Sequence, residues 1–128
     1  MCEKMPMQDL IGLRVCHIAS GDLWAGAEVQ LASLLGELRK DSSLDIRAIL
    51  LNKGTLYERL TGYSIPTQVL DEQILSSVEI ARRLYQFNMD WKPHVVHTHR
   101  YKENCLGGLA ASCAHVPAIV HTVHGIHE

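Results

Sequence analysis

Apolar residues in this chain come as short unbroken runs, separated by longer stretches in which they recur every three or four positions. The run Leu13–Ser20 (LRVCHIAS) ends at Gly21 and predicts a buried strand. Beyond the loop Gly21–Gly26 the period changes. Ala27, Leu31, Leu34, Leu35 and Leu38 fall on one helical face. Arg39 and Lys40 are expected in that helix's last turn, where cations suit the dipole, and Asp41-Ser42-Ser43 ends it. Ile46–Leu51 predicts a second strand. Thr55-Leu56-Tyr57-Glu58 has the form of a capping box with Thr55 at the N-cap, opening a short helix that runs to Thr61 and closes at Gly62. Thr67–Leu70, introduced by Pro66, predicts a third strand. Ser76-Ser77-Val78-Glu79 is a second capping box, and its helix carries Val78, Ala81, Leu84, Tyr85 and Asn88 on one stripe. Pro93 stops it, and His94–Thr98 is the fourth strand. A helix over Tyr101–Ala114 has Leu106, Leu109, Ala110 and Cys113 as its apolar face, with Gly107, Gly108 and Ala111 leaving room for close packing. Pro117 precedes a fifth strand, Ala118–Val123.

Unbroken apolar strands are buried on both faces, which is the habit of parallel sheets, and the intervening helices supply the crossovers. The fold class is therefore α/β: a Rossmann-like, doubly wound parallel sheet of about five strands. Its expected order is 3-2-1-4-5, in one domain over residues 13–128 after an extension over residues 1–12. Ligands bind such sheets outside the carboxyl ends of the strands. That rule points to Gly21–Gly26, to His97-Thr98-His99-Arg100 and to His124-Gly125.

Composition narrows the function classes. The 128 residues are 47% hydrophobic with a net charge of -2, so a folded core is expected and a basic nucleic-acid-binding stripe is not. No apolar stretch approaches the ~20 residues of a spanning helix, and the first twelve residues lack a signal peptide's apolar core. Cytoplasmic residence is the expectation. Cys2, Cys16, Cys105 and Cys113 form no C-x-x-C pair and read as reduced thiols, with Cys16 on a buried strand and Cys113 on a buried helix face.

The loop Gly21-Asp22-Leu23-Trp24-Ala25-Gly26-Ala27-Glu28 is neither the dinucleotide fingerprint nor a phosphate-binding P-loop, since the middle glycine of the first and the Lys-Ser/Thr of the second are missing. What remains is a glycine turn opening a helix, whose free N–H groups can bind an anionic or polar ligand. Glu28 in the first turn can bond a sugar hydroxyl; the competing reading is a plain strand-to-helix turn with a helix-stabilising glutamate. Among the eight histidines, His97, His99, His121, His124 and His127 fall on or after strands four and five. Their spacing lacks the helical H-E-x-x-H pattern, and no carboxylate or thiol completes a tetrahedral set, so no metal ligand is expected. His17, His97 and His121 read as core histidines with a satisfied hydrogen bond. His99 and His124 come at strand ends, where a side chain can reach a cleft, donate to a hydroxyl or phosphate and polarise a developing charge.

Three segments carry a family resemblance. Gly26-Ala27-Glu28-Val29-Gln30-Leu31 resembles the G-G-A-E-x-x-L segment of family-4 retaining glycosyltransferases. Pro93-His94-Val95-Val96-His97-Thr98-His99 is similar to their P-D-V-V-H-x-H segment, and Val116–Gly125 to their V-P-x-V-x-T-x-H-G segment. The resemblance runs from Leu13 onward. It implies the first of two Rossmann-like domains of GT-B architecture, the one that binds mainly the acceptor, with the nucleotide-sugar donor held by the second. By position it puts Gly26, Ala27 and Glu28 near donor phosphates or sugar, His99 and Arg100 on the acceptor side, and His124, followed by Gly125, beside the transferred sugar as the catalytic candidate. No cofactor and no metal are implied. The family's glycine pair is reduced to Gly26, and the methyl group of Ala27 is expected to crowd a ligand at the helix terminus. No pair of glutamates has the Glu-x7-Glu spacing of the family's second domain, and the sheet is expected to stop short of a complete first domain.

The expected function is therefore acceptor binding within transfer of a sugar from a nucleotide-sugar donor to a glycan or lipid, in polysaccharide biosynthesis, at the inner face of the membrane where the acceptor is a lipid. The chain alone is expected to be inactive. The alternatives are a non-catalytic interaction module, or a subunit of a split transferase, pairing as a homodimer or with a partner subunit through an open sheet edge. A metal-dependent hydrolase built on the histidines is the third reading.

Overall fold

The computed structural model describes residues 12–20, 26–99 and 101–122. Five strands, β1 (Leu13–Ala19), β2 (Leu44–Leu50), β3 (Thr67–Val69), β4 (Val95–His99) and β5 (Ala118–Thr122), alternate with four helices, α1 (Gly26–Leu38), α2 (Thr55–Gly62), α3 (Ser77–Trp91) and α4 (Tyr101–Cys113). Every pairing is parallel, and the order β3-β2-β1-β4-β5 is the expected one.

Alternation along the strands splits the core into two layers. Ala19, Ile46, Ala48 and Leu50 pack with Leu31 and Leu35 of α1 and with Leu56 and Leu60 of α2. Cys16, Ile18, Ile49, Leu51 and Val96 pack with Ile80 and Leu84 of α3 and Ala110 and Ala111 of α4. The helices thus change sides of the sheet between β3 and β4, and the strand order reverses between β1 and β4. A crevice forms at such a switch point because the flanking connections leave in opposite directions.

Local signals were accurate where a single side chain acts on nearby backbone. The Glu79 amide donates to Ser76 Oγ at 3.2 Å, so Ser76 is the N-cap of α3. Lys92, in the left-handed region at φ 55°, ends the same helix, its N–H donating to the Asn88 carbonyl.

Other expectations are corrected. Thr55 is the first residue of α2, not its N-cap; Gly54 holds that place and no side chain caps the helix. Arg39 and Lys40 lie just past the end of α1. The buried stripe of α3 is Ile80, Leu84 and Asn88, rotated from the expected one: Val78 is 80% exposed and Tyr85 is also on the surface. Burial follows the sheet rather than the apolar count, and Phe87 and Trp91 turn to the core flank instead. On α4 the contact face is the small one. Gly107 and Ala110–Ala111 meet the sheet, whereas Leu109 is 60% exposed and Cys113 is exposed rather than buried. Nor is β5 buried on both faces: Ala118, Val120 and His121 are exposed along this edge strand.

Candidate functional site

The carboxyl ends of β1 and β4 and the start of α1 meet by topology at the switch point. Gly26 opens α1, and Glu28, in its first turn, is 3% exposed with its acidic group close to the helix N-terminus. A buried carboxylate is rarely left by chance, because it must be compensated by partners. A Cβ on Gly26 would meet nothing within 4 Å. Ala27 is half-buried in the same turn. Gly21–Ala25, Arg100, His124 and Gly125 lie outside the described residues.

The main finding at this edge is a cluster of three imidazoles. His17 faces His97 in the β1–β4 register, and His99 follows on the same side of β4. All three therefore share the sheet face that carries α1 and α2. His17 and His99 are 3% and 6% exposed, and His97 is half-buried. His17 Nδ1 and His99 Nε2 are 3.2 Å apart. His97 stacks on His99 with centroids 4.2 Å apart and planes 22° apart, and lies 5.0 Å from the His17 ring. His97 Nε2 reaches Thr122 Oγ1 on β5 at 2.5 Å. On the opposite face, Thr98 Oγ1 meets His121 Nδ1 at 2.5 Å.

Burial governs the chemistry of the cluster. Desolvation, with the neighbouring His97 charge as a smaller cause, pushes His17 down to about 3. The His17 ring is accordingly neutral at physiological pH, with one nitrogen carrying a proton and the other a lone pair. One ring nitrogen from each histidine lies within 4.8 Å of the others, so the set has the composition of a three-histidine metal site. The sequence pattern placed His17 and His97 in the core and His99 in a cleft. His17 is buried and hydrogen-bonded as expected, its partner being His99, 82 positions away; His97 is half-buried and bonded to Thr122, and His99 is more enclosed than its place at a strand end suggests. The alternation rule joins His97 to His99, and the expected order sets β1 beside β4; only the register, which puts His17 opposite His97, could bring in His17.

Two cavities among the described residues lie elsewhere. One of about 510 Å³ runs between Arg47, Gln68 and α3, where the Arg47 guanidinium sits 4.6 Å over Trp91. The other, about 370 Å³, lies at the amino ends of β1 and β4 beside Arg14, Asn88 and Lys92. Neither touches the switch point, so the site is defined by topology and the buried polar residues.

A doubly wound parallel sheet with buried polar groups gathered at its switch point defines a Rossmann-like α/β domain. The profile described as Glycosyltransferase Family 4 matches residues 24–128, and the chain belongs to that family. It is 32% identical over 118 residues to the UDP-Gal:alpha-D-GlcNAc-diphosphoundecaprenol alpha-1,3-galactosyltransferase of Escherichia coli, covering 88% of this chain and 30% of that protein. In fold it is similar to a UDP-N-acetylglucosamine 2-epimerase, with a TM-score of 0.67 at 22% identity, covering 90% of this chain and 34% of the epimerase. MurG of Acinetobacter baumannii also gives a TM-score of 0.67, at 18% identity, over 88% of this chain and 36% of MurG. The chain thus spans about a third of each of these proteins.

Proposed function

We propose that this chain supplies the acceptor-recognising part of a glycosyltransferase that moves a sugar from a nucleotide-sugar donor to a lipid-linked glycan. The observation that carries this reading is the placement of Gly26–Glu28 and His99 on the two sides of the switch point, in a chain whose galactosyltransferase relative acts on GlcNAc-diphosphoundecaprenol. The transfer forms a bond between the anomeric carbon and an acceptor hydroxyl oxygen. It breaks the bond from that carbon to the donor diphosphate, and releases the nucleoside diphosphate and the hydroxyl proton.

Each site residue has a part suited to its chemistry. The N–H groups at the start of α1, from Gly26 and Ala27, bind phosphate oxygens, and Glu28 accepts from a sugar hydroxyl. His99 and Arg100 set the acceptor side at the end of β4. His124 and Gly125, which follow β5 in the chain, stand beside the transferred sugar, His124 polarising the developing charge. A lipid-linked acceptor fits a peripheral place at the membrane; among the described residues no helix is long and apolar enough to cross one.

Calorimetric titration tests the reading. A short-chain polyprenyl α-GlcNAc diphosphate is expected to bind this chain, and UDP-Gal to bind far more weakly, with no transfer by the chain alone. Preference for UDP-Gal, or turnover by the chain alone, would overturn it. A second reading rests on β5, an edge strand with three of its five residues exposed. Such an edge can pair with another chain, as a homodimer or with a partner subunit. Sedimentation at increasing concentration is expected to show association if so, and a monomer throughout excludes self-pairing.

A further inference from the structure

Ring geometry shows how His17 and His99 are joined. Their centroids are 5.4 Å apart and their planes 21° apart, while the facing nitrogens are separated by 3.2 Å. Each nitrogen sits about 1.1 Å from its own ring centre, so the nitrogen gap and two ring radii account for nearly all of the centroid distance. The two nitrogens therefore lie on the line between the centroids. The rings meet edge to edge, each lone-pair axis aimed at the other ring. That is the geometry of an N–H···N hydrogen bond. A zinc ion would need both nitrogens aimed at a common point ~2.0–2.1 Å from each, with the third from His97, and the rings would have to turn to provide it.

We propose that His17 and His99 form a unit sharing one proton, in which His17 is the positioning residue that sets the tautomer and ring orientation of His99 at the acceptor edge. The proposal rests on the acceptor reading of His99 and adds to it. One proton lies between His17 Nδ1 and His99 Nε2. If it belongs to His17, His99 keeps its own proton on Nδ1; if it belongs to His99, His17 keeps its own on Nε2. Either way the two neutral rings share the same tautomer, both Nδ1–H or both Nε2–H. His97, stacked on His99 and tied to Thr122, holds the second ring flat against rotation.

The tautomers are read directly by long-range proton–nitrogen correlation of the imidazoles in the intact chain near neutral pH. His17 and His99 are expected to show the same single tautomer. His17→Phe keeps a flat ring but no nitrogen, and is expected to abolish the single-tautomer pattern of His99. His17→Asn places an amide where Nδ1 stood and is expected to restore it; His17→Gln, whose amide reaches the place of Nε2, is not. The amide spectrum of each variant reports whether the fold is kept. Opposite tautomers in the parent chain, or a His99 pattern indifferent to His17→Phe in a folded variant, would overturn the proposal. So would one equivalent of zinc converting both rings to ligand-type spectra.

Acceptor titration supplies the functional arm. Affinity for the short-chain polyprenyl α-GlcNAc diphosphate should fall several-fold in His17→Phe and recover in His17→Asn. Loss of the tautomer pattern with unchanged affinity overturns the positioning role. Failure of the parent chain to bind that lipid counts instead against the acceptor reading, and the spectra still decide the proton sharing.

Discussion

Gly107 on α4 lies so close to Thr98 on β4 that a Cβ added there would stand 2.6 Å from Thr98 Cγ2 and 3.0 Å from Ile18 Cδ1. Both neighbours are fully buried and packed, so neither can move aside cheaply. Gly107→Ala is expected to lose about 1–3 kcal/mol to overpacking and to recover about 1 kcal/mol from better helix propensity. The net expectation is destabilisation by up to about 2 kcal/mol in urea unfolding. Gly62, at the end of α2, has nothing within 4 Å of its would-be Cβ. Gly62→Ala should be neutral or stabilising by up to about 1 kcal/mol. Equal effects of the two substitutions would refute the packing argument.

The start of α3 depends on one hydroxyl. Ser76 Oγ accepts from the Glu79 amide, satisfying one of the orphan N–H groups of the first turn. Ser76→Ala should cost about 1 kcal/mol, and Ser76→Asp should retain most of the stability. Thr55→Ala, at a position with no side-chain cap, is expected to cost much less. Thermal melts of the three variants decide the order.

His17 and Glu79 contribute to acid sensitivity, with the sign set by their shifts. His17 is depressed to about 3 from an ordinary 6.5, so it stays neutral in the fold while the unfolded chain takes up a proton. The unfolded state then binds more protons between those values, and stability falls as pH drops through that window. Glu79 is depressed to about 2 by its hydrogen bonds with Arg82 and Arg83, so its contribution is present above its ordinary 4.5 and lost below it. Glu79 is a surface group, and its share is small. Unfolding free energy should therefore begin to decline near pH 6.5, before carboxylates titrate. In His17→Asn that early decline should be reduced, and an unchanged profile in that variant would assign it to another group.

Thiol reactivity separates the cysteines. Cys16 is fully buried on β1, and desolvation pushes its thiol far up, so the reactive thiolate is suppressed. Cys105 and Cys113 are exposed on α4. Alkylation of the native chain followed by mass mapping should label Cys105 and Cys113 and leave Cys16 until denaturant is added. Native labelling of Cys16 would show that the β1 layer opens.

Much of this architecture was written in the chain. Short runs, mostly apolar, and the prolines before them marked the five strands, helical spacing or a capping box marked the four crossovers, and their alternation implied a parallel sheet in the observed order. These signals are readable because each arises from residues within one turn or one strand of each other; Ser76 reaching the amide of Glu79 is the same kind of event. Tertiary structure alone decided the rest. Whether Leu109 or Gly107 of α4 faces the sheet depends on how closely the helix approaches Thr98, and whether Val78 or Ile80 of α3 is covered depends on where that helix crosses the strands. Above all, the sequence marked His99 by its place at a strand end but could not join it to His17. Their hydrogen bond exists because β1 and β4, distant in the chain, are neighbours in the sheet and present those two rings on one face. Periodicity says which side of a strand a residue takes, and the alternation of elements says which strand lies beside it; only the register and the packing say what it meets there.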